Sequence, residues 1–251
     1  MDPRYYQILR QASQEEFYNS INDPEDELYD IVWDLFETVV IEPAEIYDSD
    51  FRDTNQFRYS INSGATLEFF PDAEYFRKRI EPNPFRNNSD AAGVHLKLIL
   101  APEMSCLFSV GFQIWGSTER LAFKRLWRTH RKLLVGLFRR CKPMVSTRLS
   151  QPSLHHAGNL EEMLDGYFSL RDPDQFIFLN YSFAQTDDSD VAQNFMVVMG
   201  MLYHGIKDFC RGKRDRFPFW YSKLREFYSG RLPELPPSLP CVEVTISSDA
   251  E

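Results

Sequence analysis

Apolar residues recur along this chain at two different spacings, and the spacing marks the elements. Between residues 27 and 40 the apolar positions are Leu28, Ile31, Val32, Leu35, Phe36 and Val39, the three-and-four rhythm of a single helix face. Asp23 is placed to cap this helix, Pro24 suits its first position, acids crowd its first turn, and Pro43 is expected to close it. A further helix is expected over residues 3–17.

The rhythm then changes to two. "FRYSI" and "ATLEFF" flank Asn62, Ser63 and Gly64 and read as a hairpin. After a short helix over residues 72–79 and a proline- and asparagine-rich loop over 81–93, "VHLKLIL" and "CLFSVGFQIW" form a second hairpin. A turn centred on Glu103 pairs Leu96 with Val110, Leu98 with Phe108 and Leu100 with Cys106, which makes one face apolar throughout. The opposite face carries His95, Lys97, Ile99, Leu107, Ser109, Gly111, Gln113 and Trp115.

Beyond it the pattern predicts a basic amphipathic helix over residues 117–140 and a short strand over 144–149. A helix at "NLEEMLDGYF", with Asn159 and Glu162 as an N-terminal capping pair, and a strand at "QFIFLNYSF" come next. Ser189 caps a long helix that stops before Gly212, and an aromatic-rich helix, "FPFWYSKLREFYSG", precedes the tail "LPELPPSLP" and a terminal strand "CVEVTI". Hairpins without regular βαβ alternation favour an α+β fold: a mainly antiparallel sheet built from hairpins and packed by several amphipathic helices. One globular domain with an N-terminal helical segment is expected over residues 1–230, with a proline-rich tail over 231–251.

Composition adds bounds. In 251 residues, 43% hydrophobic and 15% aromatic, one sizeable core can be buried. Cys106, Cys141, Cys210 and Cys241 are widely spaced, without the pairs of a zinc site or a disulfide framework, and read as free thiols in a reducing compartment. "MDPRYYQILRQ" lacks the basic and then apolar layout of a signal peptide, and no run approaches the roughly 20 apolar residues of a membrane span. A soluble, cytoplasmic protein with no membrane partner is the expectation.

Charge changes the picture more. The formal net charge is −9, yet residues 119–148 hold ten Lys or Arg and one acid, leaving 18 bases against 36 acids elsewhere. Residues 23–53 hold twelve acids and one base, Arg52. At about 100° per residue from Arg120, the apolar side of the basic helix, Ala122, Phe123, Leu126, Trp127, His130, Leu133, Leu134 and Leu137, occupies about 200–340°. Arg120, Lys124, Arg125, Arg128, Arg131, Lys132 and Arg139 fall between about 0° and 140°. Leu121, Val135 and Phe138 break the pattern, and Gly136 is a candidate bend. Such a face either holds phosphates or carboxylates of a partner or is solvated, or is neutralised by the acidic N-terminal region.

Candidate chemistry is thinner. His95-x-Lys97 has the residue types of a phosphodiester-handling motif, but Pro102 stands where such a motif needs an acid. Glu68 and Lys97 on separate strands suit phosphate chemistry, although the residue two before Lys97 is a histidine. His155 and His156, with Glu161, Glu162 and Asp165, match no zinc spacing, and His130 and His204 lie on apolar helix faces. No Gly-x-Ser-x-Gly elbow or glycine-rich phosphate loop occurs. Phe217, Phe219, Trp220, Tyr221, Phe227 and Tyr228 suit core or interface, or base stacking.

The leading expectation is therefore a binding or adaptor protein that contacts nucleic acid or an acidic protein surface through Arg120, Lys124, Arg128 and Arg131. The alternative is an enzyme acting on a phosphate-containing substrate, with His95, Lys97 and Gln113 as its pocket and Glu68 nearby. Neither metal nor cofactor is called for.

Overall fold

The computed structural model describes residues 7–9, 11–21, 23–60, 65–71, 93–101, 107–115, 117–141, 144–146, 160–169, 177–183, 189–211 and 215–230. Among the described residues, six strands form one antiparallel sheet: β1 (Asn55–Ser60), β2 (Ala65–Pro71), β3 (Gly93–Ala101), β4 (Leu107–Trp115), β5 (Met144–Ser146) and β6 (Ile177–Phe183). Their order is β1-β2-β3-β4-β6-β5. The α+β class read from the chain is the architecture observed. The expected helix over 72–79, the loop that follows it, the Asn159 cap, the terminal strand and the tail lie outside the described residues.

In the second hairpin, Leu96 faces Phe112, Leu98 faces Val110 and Leu100 faces Phe108, two residues further along β4 than a turn centred on Glu103 predicts. This register also pairs Val94 with Ile114, both fully buried. Because side chains alternate with a period of two, a slip of two preserves the faces. The apolar face therefore gathers Leu67, Leu96, Leu98, Val110, Phe112 and Leu179 into the core. The polar face aligns Arg58, Glu68, Lys97, Gly111 and Asn180 in one row across five strands.

The helices depart from expectation at their ends. The first segment does not run unbroken through residues 3–17: Ser13 and Glu16 form a capping box that starts α1 (Gln14–Ser20). Asp26, rather than Asp23, caps α2 (Glu27–Phe36) by accepting from Leu28 N–H at 2.8 Å, while Asp23 accepts from Glu25 N–H. Pro43 does not stop the chain's helical course. A π turn (Glu37–Ile41) leads directly into α3 (Glu42–Glu45), where Pro43 sits in the first turn and needs no N–H. α4 (Phe51–Thr54) follows, before β1.

The remaining helices are α5 (Ser117–Cys141), α6 (Leu160–Ser169), α7 (Ser189–Cys210) and α8 (Phe217–Phe227). α7 is the centre of the helical layer, buried almost along its length and packed on β3, β4 and β6. α5 packs on α7, as do the π turn, α3 and α8. Gly200 on α7 admits the Tyr47 ring, since a Cβ there would lie 2.9 Å from Tyr47 Cε2. The Tyr47 hydroxyl then donates to Val197 O at 2.6 Å.

α5 bends at His130, whose φ of −119° and ψ of 24° leave the helical region, and not at Gly136. Before the bend the buried positions are Ala122, Phe123, Leu126 and Trp127, and after it Leu134, Val135, Leu137 and Phe138. The bend thus rotates the stripe by about one residue, which places Val135 and Phe138 in the core although they lie off the face of a straight helix.

Candidate functional site

Two groups of side chains carry chemistry: a cluster on the polar sheet face and the solvent side of α5. In the first, Glu68 on β2 is 1% exposed and sits between Arg58 on β1 and Lys97 on β3. Its Oε1 accepts from Arg58 Nε at 2.7 Å and from a second Arg58 nitrogen. Its Oε2 lies 2.7 Å from Lys97 Nζ and 3.1 Å from His95 Nδ1. Burial alone would raise the Glu68 pKa, but the hydrogen bond and charge of His95, together with the Lys97 ammonium, hold it well below the usual carboxylate range.

Glu68 is thus a counter-ion. Both of its oxygens are occupied by cations, and a carboxylate so acidified is a poor general base. Gln113 is half-buried opposite His95, one row away. Gly111 lies beneath the Phe178 ring, 2.1 Å from where a Cβ would stand. The pairing of β2 with β3 brings His95, Lys97 and Glu68 together, and β1 adds Arg58, which the spacing signals had not singled out. That signal existed: a turn centred on Ser63 sets Arg58 opposite Glu68.

On α5, the four cations expected to act together are divided by the fold. α6 lies along the edge of the helix at about 0–40° on the wheel. There Lys124 Nζ donates to Phe168 O at 2.6 Å, and Arg131 pairs with Asp165 at 2.8 Å and with Glu161 at 3.4 Å. Asp165 also accepts from Trp127 Nε1 at 2.9 Å, and Glu161 pairs with Arg139 at 3.1 Å. Arg120 is half-buried, and Arg128 is exposed. The acids that pair with Arg131 and Arg139 come from α6.

What is left on the solvent side is a strip formed by Arg125, Arg128 and Lys132, all exposed. Arg125 covers the Phe209 ring at 5.1 Å and its charge helps to lower the Asp215 pKa, but none of the three has a carboxylate in ion-pair range among the described residues.

The histidines serve the core. His130 stacks on Phe217 with centroids 4.3 Å apart, and its Nε2 lies 3.6 Å from Asp215 Oδ2, an ion-pair distance too long for a hydrogen bond. This contact and the Phe217 N–H, opposed by partial burial, keep the Asp215 carboxyl below its ordinary value. His204 is packed by Tyr47, Phe51, Tyr203 and Trp220. Burial, reinforced by the charges of Lys207, Lys223, Arg211 and Arg216, drives its pKa well below the usual value, so it is neutral. His155 and His156 fall outside the described residues, and among the described residues no group of three or more side chains could hold a metal ion.

No protein-family model matches the chain, and comparison with curated proteins and with solved structures found no match.

Proposed function

We propose that this chain is a non-catalytic binding protein that contacts an anionic partner through the solvent side of α5. One observation carries the reading. Arg125, Arg128 and Lys132 form an exposed strip with no carboxylate in ion-pair range among the described residues, on a helix where Lys124, Arg131 and Arg139 are already held by α6. Charges that a fold has not neutralised are the ones available for charge-assisted contacts to phosphate or carboxylate. The role belongs in a reducing compartment such as the cytoplasm, in keeping with Cys141 as a free, buried thiol.

The test is a titration with single- and double-stranded DNA and RNA and with poly-glutamate across a salt series, beside the triple variant R125Q/R128Q/K132Q. Binding of at least one polyanion is expected, weakening as salt rises and lost in the variant. For a duplex, each phosphate contact removed should lower the slope of log K against log salt by about 0.9. No binding of any polyanion at low salt, or equal binding by the variant, would overturn the reading.

A further inference from the structure

We infer that the partner of the α5 strip is a second copy of this chain, bound through α2. The inference rests on the anionic-partner reading above and names that partner. On α2, Glu27, Asp30 and Asp34 are exposed and have no cation in ion-pair range among the described residues. Their spacing of three and then four residues is the spacing of Arg125, Arg128 and Lys132. Glu27, Asp30 and Asp34 therefore line one side of α2 over about 10 Å, and Arg125, Arg128 and Lys132 stand on the exposed side of α5 to either side of its bend at His130, two strips of similar length and opposite sign.

Both strips have apolar neighbours. Leu121, one turn before Arg125, is 57% exposed. Beside the acids on α2 lie the half-buried Tyr29 and Trp33, with ring centroids 5.9 Å apart. Contact between the helices would thus shield the ion pairs from water as well as match them in sign.

Within one molecule these strips do not meet. α2 packs on α1 and on the π turn, and no ion pair joins the two strips among the described residues. Segregated charge of both signs on one chain with net charge −9 also favours this partner over a nucleic acid, since the rest of the surface would repel a polyphosphate. A second copy repels too, but at physiological salt that repulsion is screened beyond about 8 Å, whereas the strips would touch. Exposed ion pairs contribute little individually, so the association is weak and salt-sensitive.

Sedimentation velocity at several protein concentrations tests this. The parent chain should sediment above its 29.5 kDa monomer mass at low salt and return to monomer at high salt. R125E/R128E/K132E and E27K/D30K/D34K should each be monomeric alone, and their equimolar mixture should associate, because reversing both strips restores complementarity. A parent that is monomeric at low salt, association that survives either reversal, or a mixture that stays monomeric would overturn the inference. A monomeric parent that still binds polyanion through α5 sinks the self-association alone, whereas absence of both sinks the anionic-partner reading as well.

Discussion

Glu68 shows how much one buried carboxylate can govern. With its oxygens on Arg58, Lys97 and His95, replacing it by Gln leaves cations without their counter-ion. Glu68→Gln should lower the unfolding free energy at neutral pH by about 3–5 kcal/mol, measured in urea. Its folded pKa lies below the ordinary value of 4.5, so the unfolded chain takes up its proton first. The stabilisation is complete above about pH 4.5 and fades as pH falls toward the folded value, a trend absent in Glu68→Gln. His204 acts in a different window. Its folded pKa is depressed below 6.5, so below that pH the unfolded state again binds the extra proton. Stability should fall by up to about 1.4 kcal/mol per pH unit below pH 6.5 until the folded value is reached. His204→Phe should remove this slope, and an unchanged slope in that variant would show that another group is responsible. The polar residues of β2 and β3 could be read as one site from alternation alone. The role of His204 could not, because only packing by Tyr47 and Trp220 tells a neutral core histidine from an exposed one.

Among the elements, α5 and α7 depend on close contacts that can be tested singly. Asp165 is the acceptor for the Trp127 indole, a ring only 2% exposed. Asp165→Ala should therefore cost about 1–3 kcal/mol by stranding that donor. Glu161→Ala removes only exposed ion pairs, so its cost should be about 1 kcal/mol at most. Equal losses would mean that the indole hydrogen bond contributes nothing special. Gly200→Ala should destabilise by about 1–3 kcal/mol, because the Tyr47 ring occupies the space a Cβ needs. Gly136→Ala, with nothing within 4 Å of the added carbon, should instead stabilise by up to about 1 kcal/mol. Thermal unfolding of the pair separates close packing from helix propensity. The existence of both helices was legible in their apolar periodicity. Their ends and bends were not: the capping hydrogen bonds of Ser13 and Asp26 are local choices among several candidate residues, and the bend at His130 accompanies its stacking on Phe217 and its approach to Asp215.

At the scale of the whole molecule, one antiparallel sheet carries a central helix, α7, against which basic α5, the acid-rich π turn and α3 all pack. No helix among the described residues is long and apolar enough to cross a membrane. By itself the sequence determined what depends on near neighbours: the α+β class, the faces of both hairpins, the apolar stripes, and the segregation of charge between residues 23–53 and 119–148. A side chain's face follows from a period of 2.0 or 3.6, which a linear pattern records directly. Only the tertiary structure decided which cations remain available. Lys124 and Arg131 have the same type and spacing as their neighbours, but α6, whose contacting residues lie 44 and 34 positions further along the chain, takes up those two and leaves Arg125, Arg128 and Lys132 in solvent. Neutralisation depends on distances of a few ångströms between elements remote in sequence, and no periodicity within either element encodes that distance.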